Sequence, residues 1–289
     1  MENHHRSSSG VGANWATGVG YELQVIGVRK VFRPEDGRAP LVALERFDLA
    51  IEKGEFVCIL GPSGCGKSTL LNIVAGFLVP TEGQVILDGV EVTGSGRDRG
   101  VVFQEHALFP WFRVWQNVEF GPKMAGVNPA ERARIADRYL DLVGLGAFRA
   151  AFPKELSGGM KQRVAIARAL ANDPKILLMD EPFGSLDAQT RRLMQDELTK
   201  IWTATGKTIL FVTHSIEESL LLADRVVVMT ARPGRIKTVL PAPLTRPRSD
   251  VAPDFVALKA ELQGLLKDEI EAGGEARPTT GNNPGRQTL

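Results

Sequence analysis

The stretch Gly61 to Thr69, GPSGCGKST, constrains this chain more than any other, because it fits G-x-x-x-x-G-K-[ST] in a matching context. Glu55 to Leu60 (EFVCIL) ends in apolar residues as a buried strand does, and Thr69 to Ala75 (TLLNIVA) reads as an apolar-faced helix stopped by Gly76. Strand, glycine loop and helix form the setting in which this pattern binds phosphate. Gly61, Gly64 and Gly66 let the backbone bend so that successive amide hydrogens converge into an anion nest. The N-terminus of the new helix adds roughly half a positive charge to that nest. Lys67 is placed to reach β- and γ-phosphates, and the Ser68 hydroxyl to ligate Mg2+. A glycine-rich turn before an ordinary buried helix has little use for Lys-Ser at that place.

The 289 residues allow one large domain, or one domain with a smaller lobe. A net charge of +1 gives no bulk attraction to nucleic acid or to an anionic membrane. The two cysteines, Cys58 and Cys65, fall on the strand and inside the glycine loop. A disulfide there would distort the loop, so both are expected to be reduced and the protein intracellular. Cys65 has two readings, a reactive thiol at a helix N-terminus or a small residue whose amide serves the loop. Residues 1–20 lack the apolar core of a secretory signal and read as a disordered tail in which His4 and His5 are solvated. The sequence has no uninterrupted apolar run long enough to span a bilayer, so a membrane role has to come from a partner.

Taken in order, Leu23 to Phe32 and Val42 to Ile51 alternate as strands, joined by a hairpin loop from Arg33 to Pro40. Phe32 ends the first of them and is either a core residue or a ring on which a base stacks, an interaction of about 1–3 kcal/mol. Gln84 to Leu87 reads as a strand, and Gly100 to Phe103 as a short one ending at Gln104. An aromatic cluster follows at Phe109, Trp111, Phe112 and Trp115. Asn128 to Val143 and Pro153 to Asn172 read as helices. Strands return at Lys175 to Met179, Thr208 to Val212 and Arg225 to Met229, with a helix from Ala188 to Thr203. Apolar β-branched strands alternating with helices predict an α/β fold whose largely parallel sheet is covered on both faces. Pro241 to Pro253 is irregular, and Phe255, Leu258, Leu262, Leu265, Leu266 and Ile270 recur at helical spacing. Gly273 to Leu289 reads as disordered.

Three further motifs carry chemistry. Ile176 to Pro182 (ILLMDEP) delivers two carboxylates at the end of a buried strand, costly without a cation. Asp180 facing Mg2+ and Glu181 facing a water relieves that cost. Leu156 to Arg163 (LSGGMKQR) opens a helix with Ser157, Gly158 and Gly159, a second nest of amides. One nucleotide needs only one such nest from one chain. Ser185 to Ala188 (SLDA) follows the carboxylates, and His214 stands just after the strand Thr208 to Val212.

In these residues the sequence resembles the ATP-binding cassette (ABC) ATPases, over roughly Leu23 to Pro241. The resemblance implies a P-loop NTPase core with an N-terminal antiparallel β part and a helical signature subdomain at about 105–172. The ATPase domain is then 21–245, followed by a C-terminal helix and tail over 246–289. It implies ATP and Mg2+ as cofactors, with Phe32 stacking on adenine. The ATP-binding set is Phe32, Gly61, Pro62, Ser63, Gly64, Cys65, Gly66, Lys67, Ser68 and Thr69, with Ser68, Gln104 and Asp180 toward the metal. Glu181, His214 and Gln104 are the catalytic set: Glu181 polarises the water and His214 holds the γ-phosphate. Leu156, Ser157, Gly158, Gly159 and Met160 would reach an ATP held by a second cassette in a homodimer, and Asp187 would communicate across it. Met160-Lys161 replaces the Gln-Gln of many relatives and leaves Ser-Gly-Gly intact.

The chain carries one cassette, no long coiled-coil insertion between Lys67 and Ser157, and no fused membrane helices. That suits a stand-alone cassette at the cytoplasmic face of a bacterial inner membrane, bound to separate transmembrane permease subunits. A periplasmic or lipoprotein solute-binding protein would be an indirect partner, and nucleic acid none. Gln104 to Gly121, Ser157 to Leu170, Val226 to Ile236 and Arg246 to Leu262 look like the nitrate, sulfonate, taurine and bicarbonate importer subfamily. The expected function is ATP hydrolysis that energises uptake of a small anion. The alternatives are a soluble cassette acting as a mechanical switch, or a cassette of another transporter class. The aromatic cluster either lines a groove for a helix of the membrane subunit beside Gln104, or fills the join between sheet and helical part.

Overall fold

Short apolar strands whose successive side chains face opposite ways organise the molecule, a computed structural model that describes residues 20–105 and 107–275. The N-terminal part is antiparallel. Strand β1 (Tyr21–Phe32) pairs with β2 (Leu41–Glu52), and their register sets Phe32 opposite Leu41 at the mouth of the hairpin. Strand β3 (Phe56–Leu60) leads into α1 (Lys67–Val74), and β4 (Glu82–Leu87) with β5 (Val90–Glu91) completes a four-stranded sheet ordered β2-β1-β4-β5.

After β6 (Arg99–Val102) come three helices, α2 (Val114–Met124), α3 (Pro129–Leu142) and α4 (Gly158–Leu170). The chain then alternates through β7 (Ile176–Asp180), α5 (Ala188–Thr205), β8 (Thr208–Thr213), α6 (Ile216–Leu222) and β9 (Arg225–Met229). It closes with β10 (Ile236–Pro241) and α7 (Pro253–Glu275). The second sheet is six-stranded, ordered β10-β9-β3-β8-β7-β6, and parallel except for β10.

The four inner strands β9, β3, β8 and β7 are buried on both faces, which is why they read as continuous apolar runs. Phe56, Cys58 and Leu60 of β3 face one core with Ile209 and Phe211 of β8, while Val57 and Ile59 face the other with Leu210 and Val212. On the first face pack the helices, including Leu198 of α5 and Phe255 and Leu262 of α7. On the second lie Leu70, Leu71 and Val74 of α1 and, beyond them, Leu23, Phe47 and Leu49 of the antiparallel sheet. Phe211 joins Phe56 and Phe183 with ring centroids 5.9 and 5.8 Å apart, and each such buried ring stabilises the fold by about 1.5–3 kcal/mol. A parallel sheet with helices over it, as expected from the sequence, brings every C-terminal strand end of β9, β3, β8, β7 and β6 to one edge.

Several expected boundaries move. The strand expected to end at Gln104 stops at Val102. The helix expected from Pro153 begins at Gly158, because Pro153–Glu155 forms a separate 3-10 turn and Leu156 is extended, at φ −102° and ψ 146°. Ser157 then caps α4, its Oγ accepting from Met160 N at 3.3 Å. Helix α7 runs through Gly273 and Gly274 to Glu275, so the expected disorder from Gly273 does not hold there. A glycine costs only about 1 kcal/mol in a helix, too little to end one that long. The expected tail at 1–20, His4 and His5 included, lies outside the described residues except for Gly20, as do residues 276–289 and the side chain of Ile270.

Candidate nucleotide site

The shared sheet edge carries a cavity of about 420 Å³ built from β1, the start of β2, the glycine loop after β3, and the turn after β9. Its walls are Phe32, Leu41, Val42 and Ala43 on one side and Ser63, Gly64, Gly66, Lys67, Ser68 and Thr69 on the other, with Glu181 and Arg232. Phe32 is 38% exposed, so the core reading of that ring gives way to a cavity wall. The Lys30 ammonium lies 5.3 Å from its centroid.

Loop geometry follows from its glycines. Gly64 and Gly66 take φ of +77° and +102°, the left-handed region in which a side chain is strained. A Cβ on Gly66 would also stand 2.7 Å from the Ala43 carbonyl, so the loop packs directly on β2. Lys67, 4% exposed, turns its ammonium into the loop and donates to the carbonyls of Gly61 and Pro62 at 2.8 and 2.9 Å. Cys65 is buried beneath the loop, and burial pushes its thiol up. Of the two readings of Cys65, the structure favours the inert one.

The carboxylates arrive on β7. Asp180 accepts from Ser68 Oγ at 3.2 Å. Burial pushes the Asp180 carboxyl up, the Ser68 hydroxyl pulls it back, the Glu181 charge raises it and the Lys67 ammonium lowers it. Glu181 sits at φ +44°, a strained turn for a side chain, held by its N–H to Val212 O at 2.9 Å and by Gly184 N to its carbonyl at 3.0 Å. That turn aims its carboxylate at the cavity and at His214, whose Nδ1 lies 2.9 Å from Glu181 Oε2.

Of the other expected residues, Pro62 receives the Lys67 ammonium and Asp180 and His214 adjoin the cavity through Ser68 and Glu181. Gln104 does not line it; a Cβ on Gly184 would meet the Gln104 amide nitrogen at 2.8 Å, so its side chain lies against the turn after Glu181. Leu156, Ser157, Gly158, Gly159 and Met160 are not among the cavity residues; Gly158 and Gly159 pack against α5 and the segment before it, Leu156 is buried in the core and Met160 packs against it. Cβ atoms on Gly158 and Gly159 would stand 3.1 Å from Leu186 and 2.9 Å from Thr190. Asp187 caps α5, accepting from Thr190 N at 2.9 Å, and that hydrogen bond holds its carboxyl below the usual carboxylate range.

Sequence reasoning missed α2 and the residue that organises the loop before it. Asn117, fully buried, accepts from Phe109 N at 2.8 Å and donates to the carbonyls of Phe109 and Phe112 at 3.2 and 3.1 Å. The aromatic cluster is Phe109, Trp111, Phe112 and Phe120, around Phe109 at centroid distances of 5.8, 5.5 and 4.6 Å. Trp115 packs instead toward the core and against the Arg149 guanidinium. Trp111 stays 68% exposed. Among the described residues no helix is long and apolar enough to cross a membrane.

Residues 44–184 match the family model described as ABC transporter. The nitrate import ATP-binding protein NrtD of Synechocystis sp. is 48% identical over 263 residues, covering 86% of this chain and 98% of that protein. The taurine import ATP-binding protein TauB of Jannaschia sp. is 50% identical over 236 residues, 79% of this chain and 88% of that one. Among solved structures, an ATP-binding cassette captured as a dimer in a post-hydrolysis state with ADP and Pi superposes with a TM-score of 0.65 at 34% identity. It covers 76% of this chain and 98% of its own.

Proposed function

From a chain that belongs to the ABC transporter family of ATP-binding, ATP-hydrolysing cassettes, we propose the energising subunit of an importer for a small anion such as taurine, an aliphatic sulfonate or nitrate. The observation that carries the chemistry is the convergence, at one sheet edge, of the Lys67 loop, the Ser68–Asp180 pair and the Glu181–His214 pair. The importer class rests on about 50% identity to nitrate and taurine import subunits over most of both chains. In this reading residues 21–245 form the ATPase domain, with its helical part at about 105–172, and 246–289 an appendage.

Adenine stacks on Phe32, and the loop from Gly61 to Thr69 wraps the phosphates with its amides and the Lys67 ammonium. Mg2+ suits the oxygens beside the loop. Ser68 Oγ and Asp180 Oδ1 are hard donors 3.2 Å apart, and among the described residues no group of three or more His, Cys, Asp or Glu forms an all-protein cage. Such a site takes one or two protein oxygens and leaves the rest to phosphate and water, with Gln104 near enough to the Glu181 turn to contribute. When bound, the ion neutralises charge on the phosphates. Glu181 polarises the attacking water, and His214 orients Glu181 and contacts the γ-phosphate.

Ser157, Gly158 and Gly159 lie away from the cavity of their own chain, which supports a sandwich of two cassettes, each nest completing the other's nucleotide. Asp187, beside that nest, couples the two. Closure on ATP would move separate permease subunits, engaged at the cytoplasmic face by the surface around Gln104 and exposed Trp111.

The test is growth of a deletion strain, with nitrate as sole nitrogen source in one arm and taurine or an alkanesulfonate as sole sulfur source in the other. A defect in one arm, rescued by the parent gene and not by Glu181→Gln, is the expected result. Co-purification of a polytopic membrane protein from detergent extracts supports the transporter, and its absence there favours a soluble switch.

A further inference from the structure

Four parallel strands deliver expected residues to the sheet edge: β3 the phosphate loop, β6 Gln104, β7 the two carboxylates and β8 His214. The fifth, β9, delivers Arg232, to which no role was given by the sequence. We propose that Arg232 is a further nucleotide-binding residue, a second cation for the polyphosphate beside Lys67. The proposal rests on the reading of this cavity as the ATP site.

Arg232 lines the cavity, where the remaining charged groups of the wall are Lys67 and Glu181. Its Nε donates to the Gly64 carbonyl at 3.3 Å, and a Cβ on Gly64 would meet its Nη2 at 2.6 Å, so the guanidinium lies directly on the phosphate loop. Among the described residues its hydrogen bond goes to that carbonyl and not to a carboxylate, which leaves four N–H donors for a ligand.

The turn that carries it is fixed from several sides. Gly234 N donates to Ala43 O at 3.1 Å, and Glu45 N to Gly234 O at 3.0 Å. A Cβ on Gly234 would fall 2.1 Å from the Cys65 carbonyl, so the turn, the loop and β2 are in backbone contact. Thr230 Oγ1 closes the turn by donating to Pro233 O at 2.7 Å. From α7, Glu269 accepts from Ala231 N at 2.9 Å. The backbone that carries Arg232 is thus fixed beside the loop, and the planar guanidinium fork suits phosphate oxygens. A guanidinium spent only on the Gly64 carbonyl would be a poor use of a charge at the rim of an anion site.

The experiment is calorimetric titration of the full chain with MgATP and, separately, with adenosine. The proteins are the parent, Arg232→Gln, Arg232→Lys and Lys67→Ala, each checked for an unchanged unfolding transition. Arg232→Gln is expected to weaken MgATP roughly fivefold to thirtyfold, the range of a charge-assisted hydrogen bond, and to leave adenosine unchanged. Arg232→Lys, which keeps the charge but loses the planar fork, should fall between the parent and Arg232→Gln. Parent-like MgATP binding by Arg232→Gln while Lys67→Ala is weakened overturns the proposal. So does equal loss of MgATP and adenosine, or a Lys variant no better than Gln. Parent-like binding by Lys67→Ala overturns instead the reading of the cavity as the ATP site.

Discussion

His214 Nδ1 lies 2.9 Å from Glu181 Oε2, across the ends of two adjacent parallel strands. An ionised carboxylate only accepts hydrogen bonds, so in this contact Nδ1 carries the hydrogen. The imidazole is thereby oriented by the same carboxylate that is proposed to polarise water. Glu181→Gln keeps the size of the side chain and removes its basicity. ATP turnover is expected to fall by about two to four orders of magnitude while MgATP affinity stays near that of the parent. Steady-state phosphate release and nucleotide titration measure the two, and parent-rate turnover would refute the role given to Glu181.

His214→Ala tests the other partner. The His214 ring is more than half exposed and is not packed into the core, so its loss should leave the unfolding transition within about 0.5 kcal/mol of the parent. Turnover is expected to fall by roughly a hundredfold, through loss of the group that holds Glu181 and the γ-phosphate. A stability loss without a turnover loss would make His214 structural.

The glycine loop, the paired carboxylates and the signature were legible because each is contiguous and each residue type is demanded by its chemistry. Lys67 and Ser68 follow a glycine turn, and Asp180 and Glu181 end an apolar strand, so a short window holds both cause and effect. Arg232 was not legible in this way. Its partner Gly64 is 168 positions away, and only the parallel pairing of β9 with β3 brings the two together. Asn117 was hidden for a related reason: α2 contains Pro122, and its two aromatic residues, Trp115 and Phe120, fall off a common helical spacing and blur the period. Phe32 stood between two readings until the register with Leu41 put its ring at the hairpin mouth.

Arg248 ties the segment after β10 to α6. Only 8% exposed, it donates to the carbonyls of Leu244, Leu220, Ala223 and Ala242 at 3.1, 2.7, 2.6 and 2.8 Å. Burial lowers its pKa to about 10, with the nearby Arg246 charge acting the same way, so the charge costs stability that these four bonds offset. Arg248→Met retains the stem and strands the carbonyls. The expected loss is about 3–5 kcal/mol, read as a fall of roughly 6–15 °C in the unfolding midpoint. MgATP affinity below the transition should not change, because this clamp is remote from the cavity residues.

Gly158 separates the fold of the signature from its proposed action on a second cassette. It is the first residue of α4 and exposed, and a Cβ there would approach only the end of the Leu186 side chain, at 3.1 Å. An aspartate at a helix N-terminus is favoured by the dipole by about 0.3–1 kcal/mol, so Gly158→Asp should fold as well as the parent. It should also bind MgATP as the parent does, since Gly158 is not part of its own chain's cavity. In the sandwich, however, the new carboxylate would face the partner's γ-phosphate, and like charges in a closed interface cost several kcal/mol. In a Glu181→Gln background, ATP is expected to shift the protein to a dimer on a sizing column, and the added Gly158→Asp to abolish that shift. An ATP-induced dimer that survives Gly158→Asp would mean that the signature nest does not touch nucleotide across the interface.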